Sequence, residues 1–194
     1  MSKFKKPSQK EAQDAVKTLI AWAGDNPNRE GLLETPKRVV NSYKEFFSGY
    51  DIDPKSVLGK TFSDVSGYDD IVLLKDMRLE SHCEHHIVPI IGKAHIAYIP
   101  SEKVVGISKI ARLLDVYSKR LQTQETLTAQ IANTLFEVLK PKGVAVLIDA
   151  KHQCMTTRGV KKNNSTTITK MMLGDFKSDI NLEQRFLDMI SLNS

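Results

Sequence analysis

The chain has 194 residues, 41% hydrophobic and 26% charged, with a formal net charge of +5. That balance suits a soluble globular protein of one sizeable domain with an appended arm. It excludes a membrane span, because no apolar run is long enough, and a secretory signal, because the basic start "MSKFKKPSQKEAQ" has no apolar stretch behind it. The protein is therefore expected in the cytoplasm, where Cys83 and Cys154 stay reduced rather than paired. The mild positive charge suits an anionic ligand without specifying nucleic acid.

Residues 8–23 place Ala12, Val16, Leu19, Ile20 and Ala23 at helical spacing. "GDNPNREG" breaks that pattern. Thr35-Pro36 then predicts a second helix, with Thr35 as N-cap and Val39, Val40, Tyr43, Phe46 and Phe47 on one stripe. These two helices form an N-terminal helical arm, residues 1–69. Beyond it, residues 70–194 form the main domain. "IVLLKDMRLE" and "KAHIAYIP" read as strands, the second alternating Ala94, Ile96 and Tyr98 against His95, Ala97 and Ile99. "SKIARLLDVYSKR" predicts a helix capped by Ser108, and "TQETLTAQIANTLFEVL" a second one. "GVAVLIDA" and "STTITKMML" return to strands, and "NLEQRFLDMI" predicts a final helix capped by Asn181. Adjacent strands and adjacent helices indicate α+β rather than alternating α/β.

"SHCEHH", residues 81–86, holds three of the five histidines and one of the two cysteines. Cys83 and His86 can grip one ion from a single turn. A third ligand must come from elsewhere, and Cys154 stands just past a strand. Thiolate plus imidazole favours zinc over a hard cation, and three ligands leave a fourth position open, as catalytic sites do. Spacing alone leaves a second reading open, that of two unrelated buried thiols. If the cysteines meet, His85 and His152 come close to the metal, and a neutral imidazole is a competent general base. His82 and His95 have weaker claims.

Lys109 and Arg112 fall at the start of a predicted helix, where the dipole disfavours cations. Arg38 repeats the pattern after Thr35-Pro36. Together they suggest an anion at these helix starts. Arg158 follows Cys154 by four residues, within reach of the same neighbourhood. There is no Walker loop and no G-x-G-x-x-G. Glu125 opens a helix, where a carboxylate is favourable for the dipole alone.

"CEHHIVPIIGKAHIAYIPSEKVVGISKIARLLDVYSKRLQTQE", then "HQCMTTRGV", closely resembles the GTP cyclohydrolase I family, with "REGLLETPKRV" and "LGDF" extending the match. The resemblance implies a tunnelling fold, in which antiparallel strands and paired helices assemble around a pore. It implies a homo-oligomer, a decamer of two pentamers with active sites at subunit boundaries, and no nucleic-acid or membrane partner. It implies conversion of GTP to 7,8-dihydroneopterin triphosphate with release of formate, using Zn2+ held by Cys83, His86 and Cys154. His85, His152 and Ser108 match proton-transfer groups. Arg38, Ser108, Lys109, Arg112 and Arg158 match residues that hold triphosphate and ribose. Gln124 and Glu125 match the guanine-recognition pair, with backbone groups around Val105 and Thr123. Leu121 stands where the family usually has proline, and "KKNNSTT" follows Arg158 where it often has Pro-Gly. A zinc-stabilised nucleic-acid module is disfavoured by the absence of aromatics among the basic residues. A nitrile reductase of the same fold is disfavoured by the paired zinc ligands, and a zinc deaminase by the missing H-x-E and P-C-x-x-C.

Overall fold

The computed structural model describes residues 5–63 and 67–192. They divide into two compact units that meet in sequence between Ser48 and Gly49. The first unit contains α1 (Gln9–Trp22) and α2 (Thr35–Phe46). Ser8 caps α1, its hydroxyl accepting from Glu11 N–H while the Glu11 carboxylate accepts from the Ser8 N–H, a reciprocal box that satisfies two otherwise orphaned donors. The cap of α2 is Glu34 rather than Thr35, which is already helical; Pro36 tolerates this place because the first turn needs no N–H from it. No residue of α1 is buried, and only Pro36 of α2 is.

The second unit contains α3 (Pro54–Val57), β1 (Thr61–Phe62), β2 (Val72–Cys83), β3 (Pro89–Ile99), β4 (Val104–Val105), α4 (Ile107–Ser118), β5 (Leu121–Gln122), α5 (Gln124–Leu139), β6 (Gly143–His152), α6 (Gln153–Thr156), β7 (Thr167–Gly174), α7 (Asp175–Ser178) and α8 (Ile180–Ser191). This is α+β; its long elements keep the strand–strand–helix–helix–strand–strand order expected, and the short α3, β1, β4, β5, α6 and α7 come in addition. The main sheet runs β5-β2-β3-β6-β7, antiparallel except for the parallel β2–β5 pair. The boundary falls at Ser48 rather than at residue 69: Leu58 is fully buried in this unit's core, and β1 pairs with β4.

Both faces of β3 are covered. Ala94, Ile96 and Tyr98 face a core shared with Ile110, Leu113 and Leu114 of α4 and Leu127, Ile131 and Leu135 of α5. Ala97 and Ile99 lie in a second cluster with Phe176 and Phe186, whose rings meet edge to face at 5.9 Å. Two further helix caps differ from expectation. Gly106, not Ser108, precedes α4, with no side-chain cap, so Lys109 stays in the first turn while Arg112 moves to the second. Asp179, not Asn181, caps α8, accepting from Asn181 N–H at 2.9 Å. Where several capping residues stand within two positions, the backbone dihedral decides which one is used.

Candidate active site

Three sheet ends bring the chemistry together. β2 ends at Cys83 and β3 starts at Pro89. The turn between them is closed by Cys83 N–H to Val88 O at 2.9 Å and Ile87 N–H to Cys83 O at 2.8 Å. It forces Ile87 to φ 54°, a left-handed conformation that a β-branched residue rarely adopts. Such strain persists where surrounding contacts over-determine it, and here it presents His85 and His86 together. β5 lies parallel beside this end, Cys83 opposite Gln122, and Glu84 N–H donates to Gln122 O at 3.1 Å. That pairing delivers the start of α5 to Cys83. Leu121 uses an N–H that proline would lack, donating to the Tyr50 hydroxyl at 3.1 Å. β6 runs antiparallel to β3 and ends at His152, opposite Ile90; α6 follows at once and carries Cys154.

The result is a cavity of about 400 Å³ whose wall includes Cys83, His85, His86, Glu125, His152 and Cys154. That volume suits a small-molecule ligand. Cys83, His86 and Cys154 each offer a donor atom within 4.8 Å of the other two, with Cys83 Sγ and His86 Nδ1 3.9 Å apart. A tetrahedral zinc, with bonds of about 2.3 Å to sulfur and about 2.0–2.1 Å to nitrogen, needs donors about 3.5–3.8 Å apart. The set fits a metal. Burial, and then the neighbouring Cys83 sulfur, push the Cys154 thiol up, so two thiolates side by side call for a cation between them.

His85 Nδ1 lies 3.7 Å from Cys83 Sγ, and its ring is exposed. His152 is half-buried. Burial lowers its pKa, opposed by the Glu125 carboxylate, so the neutral ring is favoured. Its Nε2 meets Gln124 Oε1 at 2.8 Å. Glu125 is exposed in the first turn of α5, and Thr123 caps that helix by accepting from Thr126 N–H at 3.2 Å. Gln124 also borders the cavity, yet it is fully buried, and its amide nitrogen is taken up by β6 and β7. Gln122, which the sequence did not single out, belongs to the cavity wall; its amide donates to Tyr117 O and Gln130 Oε1, both at 2.9 Å.

The cationic residues fall elsewhere. Val105 is buried in β4, while Ser108, Lys109 and Arg112 stand on α4, with Ser108 and Arg112 exposed. Arg158 is exposed in the loop after α6, which folds back through Lys162 N–H to Met155 O at 2.9 Å. None of these five lines the cavity of the single chain. Arg38 lies exposed on α2 of the first unit. His82 and His95 are outside the cavity, and burial lowers the pKa of each. No helix among the described residues is long and apolar enough to cross a membrane.

A family model described as GTP cyclohydrolase I matches residues 12–191. The chain is 63% identical over 185 residues to GTP cyclohydrolase 1 of Maricaulis maris, covering 95% of this chain and 90% of that one. It is 62% identical over 185 residues to GTP cyclohydrolase 1 of Hyphomonas neptunium, with the same coverage. Among solved structures, an apo archaeosine synthase QueF-Like overlaps 54% of this chain and 93% of its own, at 19% identity and a TM-score of 0.45. On the family match and the two relatives, this chain belongs to the GTP cyclohydrolase I family.

Proposed function

We propose that the cavity is where GTP is converted to 7,8-dihydroneopterin triphosphate and formate, with net uptake of one water, and that Cys83, His86 and Cys154 hold zinc there. The observation that carries this reading is the convergence of those three donors with His85, His152 and Glu125 in one cavity. Two thiolates and an imidazole favour zinc, and three ligands leave a tetrahedral position open. When bound, the ion would acidify water toward a pKa of about 7 and so supply a nucleophile at neutral pH.

The chain's own residues bind, orient and move protons. Glu125 accepts from guanine N1–H and the exocyclic amine, supported by backbone groups near Val105 and Thr123. C8 of guanine lies between two nitrogens and is open to addition of water. A histidine, His152 or His85, donates to N7 as the imidazole ring opens, and His85, His152 and Ser108 are the proton-transfer groups for the steps that follow. The triphosphate does not react, so Arg38, Lys109, Arg112 and Arg158 serve binding and orientation. Since Ser108, Lys109, Arg112 and Arg158 do not line the cavity of one chain, the reading completes the site at a subunit boundary, in a decamer of two pentamers. The apolar surface of α1 supports assembly, with Leu19 63% and Trp22 86% exposed. A cytoplasmic setting keeps both thiols reduced.

The test is incubation of zinc-loaded protein with GTP. Formate and, after oxidation, a fluorescent pterin should appear together. Absence of both from fully metal-loaded protein would overturn the reading.

A further inference from the structure

The structure assigns Gln124 a different task from the one its neighbour performs: it is a positioning residue that holds His152 with the proton on Nε2, leaving Nδ1 as the nitrogen that exchanges a proton with substrate. The inference rests on the proposed role of His152 and deepens it.

The contacts of Gln124 distinguish the two ends of its amide. Gln124 Nε2 lies 3.0 Å from Ile148 O, 2.8 Å from Thr167 O and 3.2 Å from Thr169 Oγ1. Two of these three are backbone carbonyls, which can only accept. Flipping the amide would set its oxygen against both carbonyl oxygens in a fully buried site, where like partial charges repel and no hydrogen stands between them. The nitrogen therefore faces β6 and β7, and the oxygen faces His152 Nε2 at 2.8 Å. An amide oxygen only accepts, so Nε2 must carry a hydrogen. In the neutral ring the lone pair is then on Nδ1.

The same contacts leave Gln124 no amide hydrogen to give a base. An amide nitrogen has two hydrogens, and three acceptors already surround this one, so none remains for guanine. The Thr169 hydroxyl is itself tied to Thr128 Oγ1 at 2.7 Å, which keeps the anchor in place. The anchor comes from β7, more than forty residues away in sequence (|i−j| = 43 for Thr167 and 45 for Thr169). Glu125, next in the chain, is exposed at the cavity. Consecutive residues at the start of α5 thus have separate tasks, one orienting a histidine and the other facing the ligand.

Two measurements test this. Neutron diffraction from deuterium-exchanged crystals of the zinc-loaded parent enzyme at pH 8 locates deuterium on the imidazole and on the amide. Deuterium on His152 Nε2 directed at Gln124 Oε1 is expected. A bare Nε2, or a Gln124 amide with its nitrogen toward His152, overturns the assignment without recourse to any variant. The second measurement is Gln124→Met, compared with the parent in turnover and in equilibrium binding of GTP and ATP. A positioning role predicts kcat lower by about 10–100-fold, with GTP affinity and the preference for GTP over ATP within about twofold of the parent. A base-reading role predicts the reverse: weakened GTP binding, collapsed preference, and near-parental kcat at saturation. If the parent makes no formate from GTP, the proposed function fails, while the neutron result still decides the tautomer.

Discussion

At the scale of the residue, Cys154 and Glu125 carry separable tests. Cys154 sits on the four-residue α6, so its sulfur reaches Cys83 only because β6 ends where it does. Cys154→Ala should leave two ligands, release the metal on dialysis and abolish turnover; retained metal with parental turnover would remove this residue from the site. Glu125 is exposed in the first turn of α5, so its substitution tests binding rather than folding. If it were only a helix-start charge, Glu125→Gln would cost a few tenths to about 1 kcal/mol of stability and nothing in binding. Facing guanine, it should cost about 2–5 kcal/mol of GTP binding. Selectivity over ATP should also fall, since adenine presents an acceptor at N1. Titration calorimetry with both nucleotides on zinc-loaded protein measures this, and unchanged values for both would place guanine recognition elsewhere.

At the scale of the element, β2 carries a bulge that the sequence did not announce. The β2–β3 register shifts between Leu74 and Met77, and Asp76 takes φ 56°. The Asp76 N–H, displaced from the ladder, donates to His95 Nδ1 at 3.2 Å. His95 must be neutral there to accept. Burial lowers its pKa, only partly opposed by Asp76. The unfolded chain therefore takes up a proton at His95, near pH 6.5, before the folded chain does. Stability from this histidine is fully present above about pH 6.5 and is lost as pH falls toward and through its lower folded value. His82 and His152 are shifted in the same direction, also by burial, and add to the slope. Urea midpoints should be level from pH 7 to 8.5 and decline below about 6.5. His95→Phe should cost about 1–3 kcal/mol at pH 7.5, by orphaning the Asp76 N–H, and should flatten part of that decline. A variant with the parent's full pH slope would show that His95 does not contribute.

At the scale of the whole molecule, the single chain gathers the metal donors and histidines in a cavity that Lys109, Arg112 and Arg158, three of the cations proposed for the triphosphate, do not line. If neighbouring chains supply them, two defective chains should rescue each other. His152→Ala and Arg38→Ala chains, each inactive alone, should regain activity when co-expressed and assembled together. Random mixing restores about one quarter of the sites when each site draws on two chains. No recovery, from mixed assemblies confirmed by mass spectrometry, would place all of these groups on one chain.

The sequence by itself determined the order of elements and the identity of the reactive groups, because both are local. Period-two alternation in β3 and the i+4 steps of α5 need only neighbouring residues to be read. Cys83, His86 and Cys154 were legible as types, and the family resemblance joined them. What tertiary structure decided was direction and partnership. The caps moved to Glu34, Gly106 and Asp179 because a cap depends on one backbone dihedral, and several polar residues stood close enough to serve. Leu121 and Gln122 entered the sheet through a parallel pairing with β2 that no local pattern encodes. Gln124 turned inward because acceptors on β6 and β7, far along the chain, claimed its amide. Hydrogen-bond partners brought from distant strands cannot be read from the residues beside them, and they settle which of two adjacent polar side chains at the cavity wall is exposed and which is buried with its amide nitrogen tied to the sheet.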